Sequence, residues 1–186
     1  MHCNHLLLKY PAFFVDDFLD DDECNRLVEM SEAIGFRETH TDKHGEEWKD
    51  GALRTNCSTA ITSKELASEL QTRLRDILPE CRMLNPLFRF SRFTGDQYVQ
   101  PHVDGFIAAK TNHVSKYTLL FYLSDSASGQ TRFIDMITMT HVDVFPKKGR
   151  LLVFDQRLCH AALPVGNEQA KYTLRTDAMY VERNEA

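Results

Sequence analysis

The stretch Arg89-Phe90-Ser91-Arg92-Phe93-Thr94-Gly95-Asp96-Gln97-Tyr98-Val99-Gln100-Pro101-His102-Val103-Asp104-Gly105 decides the fold. Short runs with β-type spacing stand on either side of Gly95-Asp96, so 88–94 and 98–102 read as two strands joined by a turn. The same texture continues toward the C-terminus at 117–123, 131–134, 139–145, 151–154, 160–163 and 171–181, with Gly, Asp, Asn and Ser between the runs. Pro146 and Gly149 supply the turn between two of them. Eight antiparallel strands in about 95 residues point to a jelly-roll, the double-stranded β-helix of cupin-like barrels.

Upstream of the barrel, 18–78 has helical spacing. One helix starts after Asp20-Asp21-Asp22, a run that caps and complements a helix N-terminus, carries Cys24, Leu27, Val28 and Ile34, and stops at Gly35. A second is capped by Thr62 or Ser63, sets Leu66, Leu70, Leu74, Ile77 and Leu78 on one face, and ends at Pro79. Each apolar face needs a cover, and the sheet provides it. The fold class is therefore mainly β with flanking α-helices. Repeats and linkers are absent, so 1–186 reads as one domain, with 1–85 packing on a barrel core at 86–183.

With 186 residues, 42% hydrophobic and 26% charged, the chain can bury a core, which excludes disorder, collagen-like repeats and a disulfide-stapled miniprotein. The formal net charge is −5 and the basic residues are scattered, so nucleic acid is not an expected partner. No apolar run reaches the roughly 18–20 residues of a membrane span, and the N-terminus does not read as a signal peptide. An intracellular, cytoplasmic location is the expectation, with no membrane partner and an oligomeric state left open. The five cysteines, an odd number without C-x-x-C spacing, are expected as free thiols.

Chemistry enters with His102-Val103-Asp104. Side chains two apart on an extended segment point the same way, so one imidazole and one carboxylate can reach a common ion. His160, 58 residues later at the start of a late strand, offers a third ligand. Two His and one carboxylate form the facial set of non-haem Fe(II) oxygenases, with open positions for cosubstrate and O2. A second copy, His141-Val142-Asp143, lies too close to His160 for several strands to intervene, lacks the glycine turn, and is assigned to the sheet. Downstream, Lys171, Thr173 and Arg175 share one side of a strand. If that side is the interior, a buried cation there calls for an anionic ligand such as a dicarboxylate. Tyr122 offers a hydroxyl to the same ligand.

These stretches resemble the Fe(II)- and 2-oxoglutarate-dependent dioxygenases, in particular the prolyl 4-hydroxylase-like branch. The resemblance runs through 89–105, 118–124, 129–133, 146–154, 160–165 and 171–177 in order. It extends more loosely to 14–24 and to Arg54-Thr55-Asn56, which is similar to that branch's R-T-S-like segment. What it implies is a catalytic iron on His102, Asp104 and His160, with 2-oxoglutarate as cosubstrate, O2 as oxidant and ascorbate as an accessory. The resemblance puts the far carboxylate of 2-oxoglutarate on Lys171, with Tyr122 and Thr173 beside it; Arg175 is the alternative anchor, because Lys171 follows His160 by 11 residues where the family interval is about ten. A Ser128-Gly129 pair stands where family members often have Gly-Gly. Retention of Asp104 implies hydroxylation or a related oxidation, since the resembling halogenases replace that carboxylate.

The substrate implied is a peptidyl-proline, an amino acid or another small molecule. The polar segment 40–51, with the single Trp48, is long enough for a lid over the site. Arg54, Asn56, Arg92 and Arg132 are candidates to meet a substrate carboxylate or a peptide backbone. The competing expectation is a non-catalytic barrel that binds a metal or a small acid as a sensor or interaction module.

Overall fold

The computed structural model describes residues 2–38, 53–109 and 112–181. In chain order the described elements are β1 (Asn4–His5), β2 (Ala12–Val15), α1 (Asp21–Ile34), β3 (Arg37–Glu38), β4 (Cys57–Thr62), α2 (Lys64–Leu74), β5 (Met83–Leu84), β6 (Leu87–Gly95), β7 (Val99–His102), β8 (Ala108–Ala109), β9 (His113–Tyr122), β10 (Thr131–Ile134), β11 (His141–Val144), β12 (Leu151–Asp155), β13 (His160–Ala162) and β14 (Gly166–Val181). All strand pairs are antiparallel.

The eight runs read from the sequence divide between two sheets. β6, β9, β12 and β14 lie in the larger sheet, ordered β1-β2-β12-β9-β14-β6-β4-β3, with β5 on β14 and β8 on β9. β7, β10, β11 and β13 make the smaller sheet, ordered β11-β10-β13-β7. The chain passes from one sheet to the other and back, which makes the double-stranded β-helix. Between the sheets Tyr122, Phe133, Leu152, Phe154 and Leu158 form one apolar cluster. On the far face of the larger sheet Phe18, Phe88, Phe90, Leu119, Phe121 and Leu174 form the other, under the two helices.

α1 begins in a capping box: Glu23 N donates to Asp20 Oδ1 and Asp20 N to Glu23 Oε2, both at 2.7 Å. Gly35, at φ +87°, ends it. Cys24 and Leu27 are buried as the spacing predicts, but Ile34, in the last turn, is 49% exposed. α2 is capped by Ser63, whose hydroxyl accepts from Leu66 N at 3.1 Å, and it stops at Leu74 rather than at Pro79. Ile77 N and Leu78 N both turn back to Leu74 O. Leu78, just before Pro79, is therefore buried from a turn rather than from the helix.

β4 is a second difference. Cys57–Thr62 lacks apolar alternation and buries none of its residues fully, Ala60 and Thr62 being exposed; its pairing with β6, Cys57 on Arg92 through Thr62 on Leu87, makes it a strand. Tertiary pairing overrides local pattern there. Among the described residues no helix is long and apolar enough to cross a membrane.

Gly149 locks the turn before β12 to the start of the helical layer. Its carbonyl accepts from Phe18 N and Leu19 N at 2.9 and 3.1 Å, its φ is +79°, and a Cβ built on it would lie 2.3 Å from Leu19 O. Gly149→Ala is expected to destabilise by more than the about 1–3 kcal/mol of backbone strain alone, because the obstacle is main chain that cannot rotate away. Urea unfolding midpoints check this: a midpoint within error of wild type would contradict the account.

Candidate functional site

β7 ends and β13 begins at the site. The two strands pair with His102 opposite His160, and the imidazole centroids are 4.3 Å apart. Each ring Nδ1 donates to a carbonyl two residues upstream, His102 to Gln100 O at 2.9 Å and His160 to Leu158 O at 3.0 Å. A carbonyl can only accept, so both Nδ1 atoms carry a proton, and each ring turns its Nε2 the other way. The two Nε2 atoms face Asp104: His102 Nε2 is 3.5 Å from Oδ1 and His160 Nε2 is 3.8 Å from Oδ2. The three ligand atoms all lie within 4.8 Å of one another.

Burial pushes His160 down to about 4, so near neutrality it is the uncharged imidazole a metal needs. Burial alone would raise Asp104, but His102, Arg175, His160 and the Thr118 hydroxyl outweigh it and hold the carboxyl well below the usual carboxylate range. Thr118 Oγ1 donates to Asp104 Oδ2 at 2.6 Å, and Arg175 Nη1 lies 2.9 Å from Asp104 Oδ1. Two imidazoles and one ionised carboxylate, each oriented by a partner behind it, fit a divalent transition metal such as iron.

The cavity beside these ligands is lined by residues of β6, β7, β9, β10, β12, β13 and β14. Lys171, Thr173 and Arg175 all reach it, as their period of two requires. Lys171 is 1% exposed; its Nζ donates to Gly129 O at 2.7 Å and sits 4.0 Å from the Phe93 ring centroid. Desolvation lowers it to about 7. Gly129 is the residue of the Ser128-Gly129 pair that the packing requires, since a Cβ there would come within 2.6 Å of Val165 Cγ1 and 3.3 Å of Lys171 Cδ. Arg175 is placed differently. It stands between Asp104 and Asp177, with Nη2 3.3 Å from Asp177 Oδ1, so protein carboxylates already neutralise it. Tyr122 is fully buried and donates to Thr131 Oγ1 at 2.7 Å, and it is Thr131 that lines the cavity.

Of the four residues offered to a substrate, Arg54 lines the cavity. Arg132 instead forms a bidentate pair with Asp143, at 2.8 and 2.7 Å, across β10 and β11. That pair accounts for the second His-x-Asp copy. Arg92 lies on the opposite face of β6, where Glu32 at 3.0 Å and the Phe36 ring at 4.8 Å hold it. Asn56 is 1% exposed and gives its Nδ2 to Cys57 O at 3.0 Å, away from the cavity. The lid reading of 40–51 lies outside the described residues. Cys159 lines a groove on the outer face of the smaller sheet, opposite His160.

Thr118 and Asp177 escaped the sequence reading. Both carry the alternation already used for their neighbours: Thr118 is two and four residues from Leu120 and Tyr122, and Asp177 continues Lys171-Thr173-Arg175 by one step. Asp177 is 5% exposed and also accepts from Gln156 Nε2 at 3.0 Å and Asn85 Nδ2 at 3.1 Å. It anchors Arg175 from behind.

Residues 88–176 match the family described as the 2OG-Fe(II) oxygenase superfamily. No curated protein matches the chain. Among solved structures, a viral collagen prolyl hydroxylase of Paramecium bursaria Chlorella virus-1, in complex with 2-oxoglutarate, superposes with a TM-score of 0.68 at 22% identity, over 93% of this chain and 97% of that one. A Pseudomonas putida prolyl-4-hydroxylase gives 0.66 at 15% identity, over 92% and 94%. A prolyl hydroxylase of Trichoplax adhaerens, bound to a peptide fragment of the hypoxia-inducible factor oxygen degradation domain, gives 0.67 at 15% identity, over 91% and 83%. The double-stranded β-helix is common to all of them.

Proposed function

We propose, from the match of residues 88–176 to the 2OG-Fe(II) oxygenase superfamily, that the chain hydroxylates an unactivated C–H bond of a peptidyl-proline, an amino acid or another small molecule. The observation that carries the reading is the convergence of His102 Nε2, His160 Nε2 and an Asp104 oxygen within 4.8 Å, in a cavity that also holds a buried lysine. With Fe(II) on those three ligands, 2-oxoglutarate and O2 supply the oxidation: R–H, O2 and 2-oxoglutarate become R–OH, succinate and CO2.

The protein's part is to bind, orient and keep water out. Lys171 receives the far carboxylate of 2-oxoglutarate: it is a buried cation with one neutral acceptor, and an anion there removes most of its desolvation cost. Thr173 and Thr131 line the same space, and Tyr122 acts through Thr131 by holding its hydroxyl. Arg175 orients Asp104, since two carboxylates already occupy it. Phe93, Leu120 and Phe154 complete an apolar wall that strengthens each charge interaction. Peptidyl-proline is among the substrate classes because similar folds are prolyl hydroxylases, one of them bound to a peptide.

The test is an anaerobic titration of metal-free protein with Fe(II) and then 2-oxoglutarate, watching for the visible charge-transfer band of the chelate. A saturable band, with succinate released once air is admitted, is expected. No band at any concentration would sink the reading.

A pH series refines it. Lys171 without ligand titrates near 7, and the ammonium form binds the carboxylate. The 2-oxoglutarate dissociation constant is therefore expected to rise above about pH 7, approaching tenfold per pH unit, and Lys171→Arg should flatten that rise because guanidinium stays charged. The stability of ligand-free protein should move the other way. The folded value lies below the unfolded one, so between about pH 7 and ~10.4 the unfolded chain binds more protons, and this group's contribution to stability grows with pH across that window. A pH-independent affinity in wild type would remove Lys171 from the anchor role.

A further inference from the structure

We propose that Arg54 and Arg89 form a receptor at the cavity mouth for a carboxylate carried by the substrate; the proposal rests on the hydroxylase reading above and specifies its substrate class. Arg54 is held firmly beside β7, the strand that carries His102. It bridges Val99 of β7, Gln100 N donates to Leu53 O at 2.8 Å, and Thr55 N donates to Tyr98 O at 3.0 Å. Its side chain lines the cavity, and its Nε is buried without a hydrogen-bond partner. Arg89 lies directly across from Arg175 in the β6–β14 pairing, on the face of β6 that carries Ser91 and Phe93 into the cavity.

The charges at this end do not balance. Arg175 is neutralised by Asp104 and Asp177, and Lys171 is assigned to the cosubstrate. Arg54 and Arg89 remain, and among the described residues no carboxylate forms an ion pair with either. Burial disfavours the charge on Arg54, and Arg175 and Arg89 disfavour it further by repulsion, with Asp104 opposing them. A half-buried guanidinium beside like charges, with a donor aimed at nothing, is destabilising unless an anion enters. A carboxylate matches a guanidinium fork in shape and charge, and it has to arrive with the molecule being oxidised. The substrate is accordingly an acid, either a free amino acid or a peptide with an acidic side chain or free C-terminus next to the oxidised residue.

The experiment uses the full chain with Fe(II) and 2-oxoglutarate bound anaerobically, so that the charge-transfer band reports substrate entry apart from turnover. Matched pairs are titrated: free amino acids, including proline, against their amides, and short proline peptides with Glu or a free C-terminus against Gln or amidated versions. Acids are expected to perturb the band at concentrations about 10–100-fold lower than their neutral partners. Arg54→Gln and Arg89→Gln should each bring that ratio toward one, while Arg54→Lys should retain part of it. A preference among free amino acids identifies a free acid, and one confined to peptides identifies an acidic neighbour; both support the receptor. Equal response to acid and amide in wild type overturns it, as does a preference that survives both glutamine variants. If Arg54→Gln does not fold, Arg89→Gln decides, since its side chain is exposed. A missing band fails the hydroxylase reading itself, whereas a band without acid preference fails only the receptor.

Discussion

His160→Ala is expected to abolish the charge-transfer band and succinate release together while leaving a folded barrel. The imidazole is one of three ligands whose donor atoms lie within 4.8 Å of one another, and among the described residues no other His, Cys, Asp or Glu joins that group. Loss of an outer partner of a metal ligand costs about 10–100-fold in affinity, and loss of the ligand itself must exceed that. Two ligands would remain, His102 and Asp104, and Asp104 is then satisfied by Arg175 and Thr118 instead of a metal. Isothermal titration with Fe(II) or Mn(II) under argon checks binding directly, and circular dichroism checks the fold. An alanine variant that still binds metal within tenfold of wild type would show that the triad is not the site. His102→Ala, at the opposite position of the same strand pair, should behave alike.

The second large effect lies in the core. Phe121 is fully buried in β9, packs 5.7 Å from the Phe18 ring centroid, and sits where the helical layer meets the larger sheet. Phe121→Ala removes a ring from surroundings that cannot collapse around the gap, because Phe18, Leu119 and Leu151 are fixed by separate elements. The expected loss is about 3–5 kcal/mol. For a chain of this size that corresponds to a fall in the melting midpoint of roughly 6–20 °C. Ile137→Ala, at 85% exposure, is the comparison and should stay within about 0.5 kcal/mol. If the two variants melt together, the placement of β9 against the helices is wrong.

Much of the barrel was legible because period two is a local property. Each of the eight C-terminal runs could be read from its own residues and from the Gly, Asp, Asn and Ser between them, and each is a strand. Lys171, Thr173 and Arg175 share a face for the same reason. The helix starts were legible through Asp20 and Ser63, whose side chains cap main-chain donors three residues away. β4 was not, since its residues lack alternation and become a strand only by pairing with β6. The end of α2 was missed because an apolar stripe continues past the point where the backbone turns.

The candidate site divides along the same line. His102-Val103-Asp104 on one extended segment, and a late His160, are facts of spacing, and they suffice to nominate the ligand set. Spacing also sets that copy apart from His141-Val142-Asp143, which lies too close to His160 and falls in β11; what it cannot show is that Arg132, arriving from β10, takes Asp143. Nor can it choose between Lys171 and Arg175, two cations on one face. Tertiary structure brings Asp104 and Asp177 to Arg175 and leaves Lys171 with a single carbonyl. Arg54 and Arg89 likewise become neighbours of Arg175 only when β6, β7 and β14 are assembled. Alternation, turns and caps act between residues a few positions apart and so can be read along the chain. Which charges are neutralised, and which wait for a ligand, depends on side chains more than a hundred residues apart, such as Arg54 and Arg175, and the fold alone sets that.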